Sequence, residues 1–326
     1  MNLLITGGAG FIGSNFIRHI LNKYPDYKII NLDKLTYAGN LDNLRDIEKN
    51  PRYGFVQGDI CDRVLVERLM RRRPDIIVNF AAETHVDRSI LDSQPFVKTD
   101  ILGTSILLEA ALKFKVGLFL QASTDEVYGS ISYGSSAEES SLRPNNPYSA
   151  SKAGADMMVR AFQRTYGLPV IITRSSNNFG PFQYPEKLIP LFISNILEDK
   201  KLPVYGDGQQ TRDWIFVLDN CSAIDFIMHQ GRINEIYNIG AANERTNLEI
   251  TKFILGFFGK DESYIEYVKD RPGHDRRYSL DLTKLRKMGW RPRYRFERAL
   301  SETIQWYIFN KQWWKKIKSA QAKKFF

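Results

Sequence analysis

The stretch "NLLITGGAGFIGSNF", Asn2 to Phe16, decides the fold. NLLIT is apolar enough for a buried strand, and the run from Phe11 has the length and spacing of a helix. Between them stand Gly7, Gly10 and Gly13. Glycines there allow a tight turn and the close approach of backbone N–H groups to a pyrophosphate, and a helix start adds favourable dipole charge. A glycine triplet alone says little. The strand–loop–helix context makes this one a dinucleotide signature.

The same alternation continues along the chain. "KIINLD", "YGFVQGD", "DIIVNFA", "GLFLQAS" and "PVIITRS" read as further strands, several apolar at every position, as strands buried on both faces are. Segments 11–23, 64–73, 100–114 and 150–166 have helical spacing. The pattern predicts an α/β fold: a Rossmann-type doubly wound parallel sheet with a smaller C-terminal substrate-binding domain. Residues 1–174 form the nucleotide-binding part, completed by about 214–240, and 175–326 form mainly the substrate part. Beyond Arg174 comes a loop, "SSNNFGPFQYPEK", then a helix at 188–198 and a strand and turn in "LPVYGDGQQTRD". "WIFVLDN" and "EIYNIG" read as strands, and the chain from Leu248 as mainly helical.

Asp33 closes the second strand, where an acid accepts hydrogen bonds from an adenosine ribose and disfavours a 2′-phosphate. That points to NAD rather than NADP, although Lys34 beside it blurs the distinction. "GDI", Gly58 to Ile60, closes the third strand at the adenine end.

Composition sets limits. With 326 residues, 43% hydrophobic and 25% charged, the chain is an ordinary globular protein of one large or two closely packed domains. The net charge of +9 is uneven: six lysines between Lys311 and the C-terminus leave the rest at +3. That argues against a nucleic-acid-binding body. The tail "WWKKIKSAQAKKFF" reads as a frayed, solvated end. Cys61 and Cys221 are isolated, as suits a reducing compartment. His19, His85, His229 and His274 lack metal-ligand spacing, so no metal is expected. "MNLLITGG" lacks a signal peptide's features, and no apolar run approaches the roughly 18 residues of a span. A cytoplasmic protein without membrane contact is the expectation.

Two motifs carry chemistry. "QASTDEVYG", Gln121 to Gly129, ends a buried strand with Thr124, Asp125 and Glu126. Charges near a core cost several kcal/mol unless paired or used. Neighbours on a regular strand point to opposite faces, so the strand should stop at Ser123 for all three to share a site. "NPYSASKAGAD" sets Tyr148 and Lys152 four apart on one helix face. An ammonium beside a phenol favours the phenolate, as proton removal from an alcohol requires.

Together these motifs resemble the extended short-chain dehydrogenase/reductases, in which G-x-x-G-x-x-G spacing is usual, and more closely the dTDP-glucose 4,6-dehydratases. "LDKLTYAGNL", "FAAETHVDRSI", "RSSNNFGPFQYPEKLIP", "PVYGDGQQTRDW" and "DRPGHDRRY" extend the resemblance over nearly the whole chain. Thr84 stands where serine is more usual, and Phe179 where tyrosine is common. The resemblance implies tightly bound NAD, regenerated each turnover and held also by Phe11, Ile12, Lys34, Thr36, Asp59, Ile60, Phe80, Ala81, Ala82, Thr84, Thr99, Tyr148, Lys152 and Asn178. It implies a nucleotide-sugar site lined by Thr84, His85, Asn177, Lys187, Leu188, Pro203, Tyr205, Arg212, Asn247, Arg271 and His274, with the two arginines toward the diphosphate. His85 has a structural reading beside this one. A homodimer through helices around 100–114 and 150–166 is implied as well.

The family reaction oxidises C4 of the hexose, eliminates water across C5–C6 and returns the hydride to C6. On these residues, Tyr148 takes the C4 hydroxyl proton, Lys152 holds the nicotinamide ribose and Thr124 bonds O4. Glu126 takes the C5 proton, and Asp125 protonates the departing hydroxyl. A nucleotide-sugar 4-epimerase needs no such acid pair. A non-catalytic NAD-binding protein needs neither Tyr148 nor Lys152. The nucleotide, dTDP or UDP, stays open.

Overall fold

The computed structural model describes residues 1–322. The strands are β1 (Asn2–Thr6), β2 (Lys28–Asp33), β3 (Tyr53–Gln57), β4 (Ile76–Asn79), β5 (Leu118–Thr124) and β6 (Val170–Ser175), followed by β7 (Asn177–Phe179), β8 (Leu202–Tyr205), β9 (Thr211–Phe216), β10 (Ile236–Ile239), β11 (Glu244–Thr246) and β12 (Ile265–Val268). Seven of them form one parallel sheet in the order β10-β6-β5-β4-β1-β2-β3. The order reverses between β1 and β4, which opens a crevice at the carboxyl ends of the strands. β7, β9 and β11 make a small mixed sheet, and β8 pairs with β12.

Alternating residues explain the layers. Leu3 and Ile5 of β1 face one core with Phe16, Ile17 and Ile20 of the helix Phe11–Lys23 and Ile224 and Ile227 of the helix Val217–Gln230. Leu4 faces the opposite core with Val66, Leu69, Leu107 and Val159. All of these are buried, and each such aliphatic side chain is worth about 1.5–3 kcal/mol. A third core joins Phe192 and Ile193 to Ile254, Leu300, Ile304 and Trp314 in the C-terminal part. Asp225 ties two helices together below the first core: its carboxylate accepts from Lys23 at 2.6 Å and Tyr24 at 2.9 Å and meets His19 at 2.8 Å.

The six strands expected before residue 176 are present, and the structure corrects several other details. "WIFVLDN" is not one strand: β9 ends at Phe216, and Val217 starts a helix with no side-chain cap to announce it. The helix expected at 150–166 starts at Pro147, where Asn146 caps it reciprocally with Ser149. The 100–114 helix is the end of a longer one, with a π-helical stretch, Val97–Gly103, feeding Thr104–Lys113. The tail is not frayed through 322: Lys311–Ala322 is a helix, and Trp314 is fully buried with its indole N–H on the Tyr307 carbonyl. Residues 323–326 of that expected frayed end lie outside the described residues. No helix among the described residues is long and apolar enough to cross a membrane.

Candidate active site

A cavity of about 300 Å³ opens at the sheet crevice. Gly7, Gly10, Phe11, Ile12 and Gly13 line it, as do Asp33, Lys34, Thr36, Asp59 and Ile60, and Phe80, Ala81, Ala82, Thr84 and Thr99. Thr124, Asp125, Glu126, Tyr148, Lys152, Asn177, Asn178 and Lys187 belong to the same lining. The two chemical motifs and the glycine loop therefore share one space.

The loop is shaped by what a side chain would strike. Gly7 has φ +68°, and a Cβ there would lie 2.6 Å from the Ala81 nitrogen. A Cβ on Gly13 would lie 2.4 Å from the Gly7 oxygen, so the helix can sit close only because Gly13 is bare. At Gly10 a Cβ would meet only the Gly7 oxygen, at 3.2 Å. It would otherwise project into open space at a helix start that no side chain caps. Asp33 braces the loop, accepting from the Ala9 N–H at 2.9 Å and the Leu35 N–H at 2.8 Å. Lys34 is paired with Asp59 at 2.8 Å, which ties up the charge that blurred the choice between NAD and NADP.

A dinucleotide fits this chemistry. The buried side-chain oxygens of Ser123, Asn177 and Asn178 have no protein partner within the described structure, and all three residues line the cavity. Buried polar atoms without partners are costly unless a ligand or water meets them.

β5 runs to Thr124, one residue beyond the expected end, and a 3₁₀ turn, Asp125–Tyr128, follows at once. The change of geometry, rather than an earlier strand end, brings the three side chains together. The Thr124 hydroxyl accepts from the Glu126 N–H at 3.3 Å and donates to Asp125 Oδ1 at 3.2 Å, and Thr124 shares the cavity lining with Tyr148. Asp125 is 2% exposed, and its Oδ2 has no protein partner among the described residues. Burial, with the Glu126 carboxylate beside it, pushes the Asp125 pKa well above the ordinary range. Burial also raises Glu126, but Arg212, Lys187 and Arg271 pull it back down. Neighbouring acids thus occupy different electrostatic settings, one favouring the protonated form and the other reachable as carboxylate.

Tyr148 departs from the sequence expectation. Burial, then the charges of Glu126 and Asp100, push its pKa well above that of a free phenol, where a depressed value was expected from Lys152. The Lys152 ammonium donates to the Ala122 carbonyl at 2.8 Å.

Asp100 is a buried carboxylate that the motifs gave no reason to single out. It accepts from the Glu83 N–H at 2.9 Å and the Ser151 hydroxyl at 2.6 Å, and burial pushes it up to about 6. The π-helical stretch turns it inward, and such bulges are frequent at functional sites. Ser123, Gln183 and Glu186 also line the cavity unanticipated, and no spacing rule flagged them.

The remaining expected substrate residues stand outside the cavity lining. Arg212 donates to the carbonyls of Thr211 and Asp275 at 2.8 Å each and stacks on the Tyr278 ring at 4.4 Å. Arg271 bonds Asp87 at 3.1 Å and keeps a buried, unpartnered Nε. His274 meets Asp270 at 2.6 Å and stands edge-on to Tyr205. His85 accepts from the Arg88 N–H at the start of the Val86–Leu91 helix, a structural role, and burial pushes its pKa down to about 4. Leu188 and Asn247 each open a helix, and Pro203 lies on β8. None of these three touches the cavity.

Comparison with known proteins agrees with this geometry. The family model described as "GDP-mannose 4,6 dehydratase" matches residues 4–303. The chain is 52% identical to the low-salt glycan biosynthesis protein Agl12 of Haloferax volcanii, over 94% of this chain and 99% of that one. It is 49% identical to a dTDP-glucose 4,6-dehydratase of Actinoplanes sp., over 96% and 100%. The crystal structure of DesIV, the dTDP-glucose 4,6-dehydratase of Streptomyces venezuelae with NAD and TYD bound, superposes with a TM-score of 0.95 at 51% identity, covering 97% of this chain and all of that one. A chain whose glycine loop, tyrosine–lysine pair and adjacent acids converge on one cavity, and which matches these proteins over most of its length, belongs to the GDP-mannose 4,6-dehydratase family and, within it, to the dTDP-glucose 4,6-dehydratases.

Proposed function

We propose that the chain converts dTDP-glucose to dTDP-4-keto-6-deoxyglucose and water. The observation that carries this reading is the pair Asp125–Glu126, held in the same cavity as Tyr148 and Lys152 but in unequal electrostatic settings. The C5–C6 bond of a hexose is not activated for loss of water, so C4 must first become a ketone. Bound NAD supplies the hydride acceptor for C4 and the donor for C6, and its cationic oxidised ring lowers the cost of ionising Tyr148.

Tyr148 takes the O4 proton. Thr124, which lines the same cavity as Tyr148, holds O4 and offsets charge growing on the ketone oxygen. The ketone acidifies C5–H, and Glu126, kept within reach of its ionised form by Lys187, Arg212 and Arg271, takes that proton. Asp125, kept protonated, delivers a proton to the departing O6, and Glu126 returns its proton to C5 as the hydride reaches C6. General acid and base roles are each worth typically about 10²–10⁴-fold. Lys152 holds the nicotinamide ribose, the glycine loop holds the pyrophosphate, and Asp33 holds the adenosine ribose. Arg212 and Arg271 supply positive charge for the sugar diphosphate; the unpartnered Nε of Arg271 supports that role.

Residues 1–174, completed by 214–240, serve NAD, and the rest of 175–326 serves mainly the sugar nucleotide. We read the protein as a cytoplasmic homodimer. Exposed apolar side chains on neighbouring segments, Leu91, Val97, Leu102 and Met157, support the dimer.

The test is turnover of dTDP-glucose deuterated at C4. Loss of one water with deuterium reappearing at C6 is the expected result. An isomer of unchanged mass would replace this reading with an epimerase, and an unreacted substrate with a binding protein. UDP-glucose run beside it tests the nucleotide.

A further inference from the structure

Behind the acid pair, buried groups that the chemistry does not use form one connected chain. The turn carrying Asp125 and Glu126 ends in Tyr128, which is buried. Its hydroxyl donates to Asn238 Oδ1 at 2.9 Å and accepts from Arg174 Nη1 at 2.8 Å. Burial pushes its pKa up to about 12, so the O–H remains a donor. Arg174 is 1% exposed. Its Nε donates to Asp156 Oδ2 at 2.9 Å, its Nη1 also meets the Glu138 carbonyl at 3.2 Å, and its guanidinium lies 4.8 Å over the Tyr128 ring. Asp156 belongs to the Pro147–Tyr166 helix, on which Tyr148, Lys152 and Asp156 recur every four residues along one face. The chain therefore connects the helix bearing the oxidation pair to the turn bearing the elimination pair.

This arrangement is a poor way to gain stability. Desolvating a guanidinium and a carboxylate costs several kcal/mol per ion, and apolar residues of equal volume often do as well or better. The pair is not even fully satisfied: Arg174 Nη2 and Asp156 Oδ1 have no partner within the described structure. What the pair provides, and apolar packing does not, is direction. The planar fork of Arg174 fixes the Tyr128 oxygen relative to the helix, and Asn238 fixes it from the side of β10. The turn is also held by the Thr124 hydroxyl on the Glu126 N–H, the Gly129 N–H on the Glu126 carbonyl and the Arg143 N–H on the Val127 carbonyl, and Val127 packs in an apolar cluster with Ala153 of the helix, a contact that sets distance but not direction.

We propose that Arg174 and Tyr128 are positioning residues for the elimination, locking the Asp125–Glu126 turn to the helix that carries Tyr148 and Lys152. The ketone formed at C4 and the base that must reach C5 then stay in register between the two half-reactions. The inference rests on the dehydratase reading above, and the experiment separates the two.

Tyr128→Phe and Arg174→Lys are assayed as the full chain with NAD and dTDP-glucose in single turnover. C4 oxidation is read as reduced nicotinamide and elimination as loss of water. In both variants oxidation persists, while elimination slows about 10- to 100-fold, the usual cost of misplacing a catalytic group by an ångström or less. Keto-hexose that still carries O6 accumulates, and backbone amides 125–129 of the substrate-free protein exchange faster with deuterated water. Equal slowing of both half-reactions, or unchanged elimination with unchanged exchange at 125–129, would overturn the proposal. Arg174→Lys keeps the charge and loses the fork, so it carries the test if Tyr128→Phe does not fold. If the unsubstituted protein releases no water, the dehydratase reading fails, and exchange at 125–129 still decides whether Tyr128 holds the turn.

Discussion

Glu126 and Asp125 are one residue apart and meet different neighbours. Three cations bear on Glu126, whereas the next-largest influence on Asp125 after its burial is Glu126 itself. Replacing Glu126 by Gln keeps the shape and removes the base. The variant should oxidise C4, accumulate reduced nicotinamide and keto-sugar, and lose about 10²–10⁴-fold in water release. Full dehydration by this variant would take the role of base from Glu126. The pH dependence follows from the same two shifts. Elimination needs Glu126 ionised and Asp125 protonated. It should fall on the acid side as Glu126 picks up its proton, above the ordinary carboxylate range, and on the basic side as Asp125 gives up its own, higher still. Glu126→Gln should erase the acid limb from the elimination step. The sequence revealed which acids matter, because their adjacency after a strand is unusual. It did not reveal the direction of the Tyr148 shift. That depends on burial, then on the Glu126 charge and on Asp100, 48 positions away, which a π-helical stretch carries and no local pattern announces.

Elements were legible where a single period runs between clear stops and illegible where apolar residues continue across a junction. The Phe11–Lys23 helix matches its expected bounds because Gly10 precedes it and a Pro follows soon after. At Phe216–Val217 the apolar run crosses from strand to helix without a cap, so the spacing misleads. The tail misled for another reason: its lysines dominate the composition, while two tryptophans decide its position. Trp313 donates its indole N–H to Asn43 Oδ1 at 2.9 Å, and Asn43 Nδ2 donates to the Ala9 carbonyl, also at 2.9 Å, in the glycine loop. The C-terminal helix therefore supports the loop from behind. Trp313→Phe keeps the ring and leaves the buried Asn43 oxygen without its donor, a loss of about 1–3 kcal/mol. We expect a lower unfolding midpoint and weaker retention of NAD, read by calorimetry and by NAD titration of stripped protein, with oxidation and elimination affected alike. Unaltered NAD affinity would show that the loop does not depend on this support.

At the scale of the whole molecule, the segments beside the cavity leave apolar surface uncovered. Leu91 is 86% exposed, Val97 51%, Leu102 48% and Met157 40%. Isolated exposed apolar residues are ordinary, and this group on neighbouring segments is where the proposed dimer partner would sit. The segments are close because Gly154 is bare: a Cβ there would lie 2.7 Å from Ile101 Cδ1. The Val97–Gly103 stretch also carries Asp100, and the Pro147–Tyr166 helix carries Tyr148 and Lys152. A partner covering this surface would thus brace the two segments that shape the active site. Leu102→Lys in combination with Val97→Lys should turn a dimer into a monomer, since each change removes about 0.8–1.5 kcal/mol of apolar burial from a side chain already half covered and leaves a charge to be desolvated. Sedimentation at micromolar concentration reads the change in mass. Single-turnover assays of the monomer should find both half-reactions slowed together, because the helix and the turn move as one body through Asp156 and Arg174. An unsubstituted chain that already sediments as a monomer would remove the dimer, and with it the idea that the active site is steadied from outside.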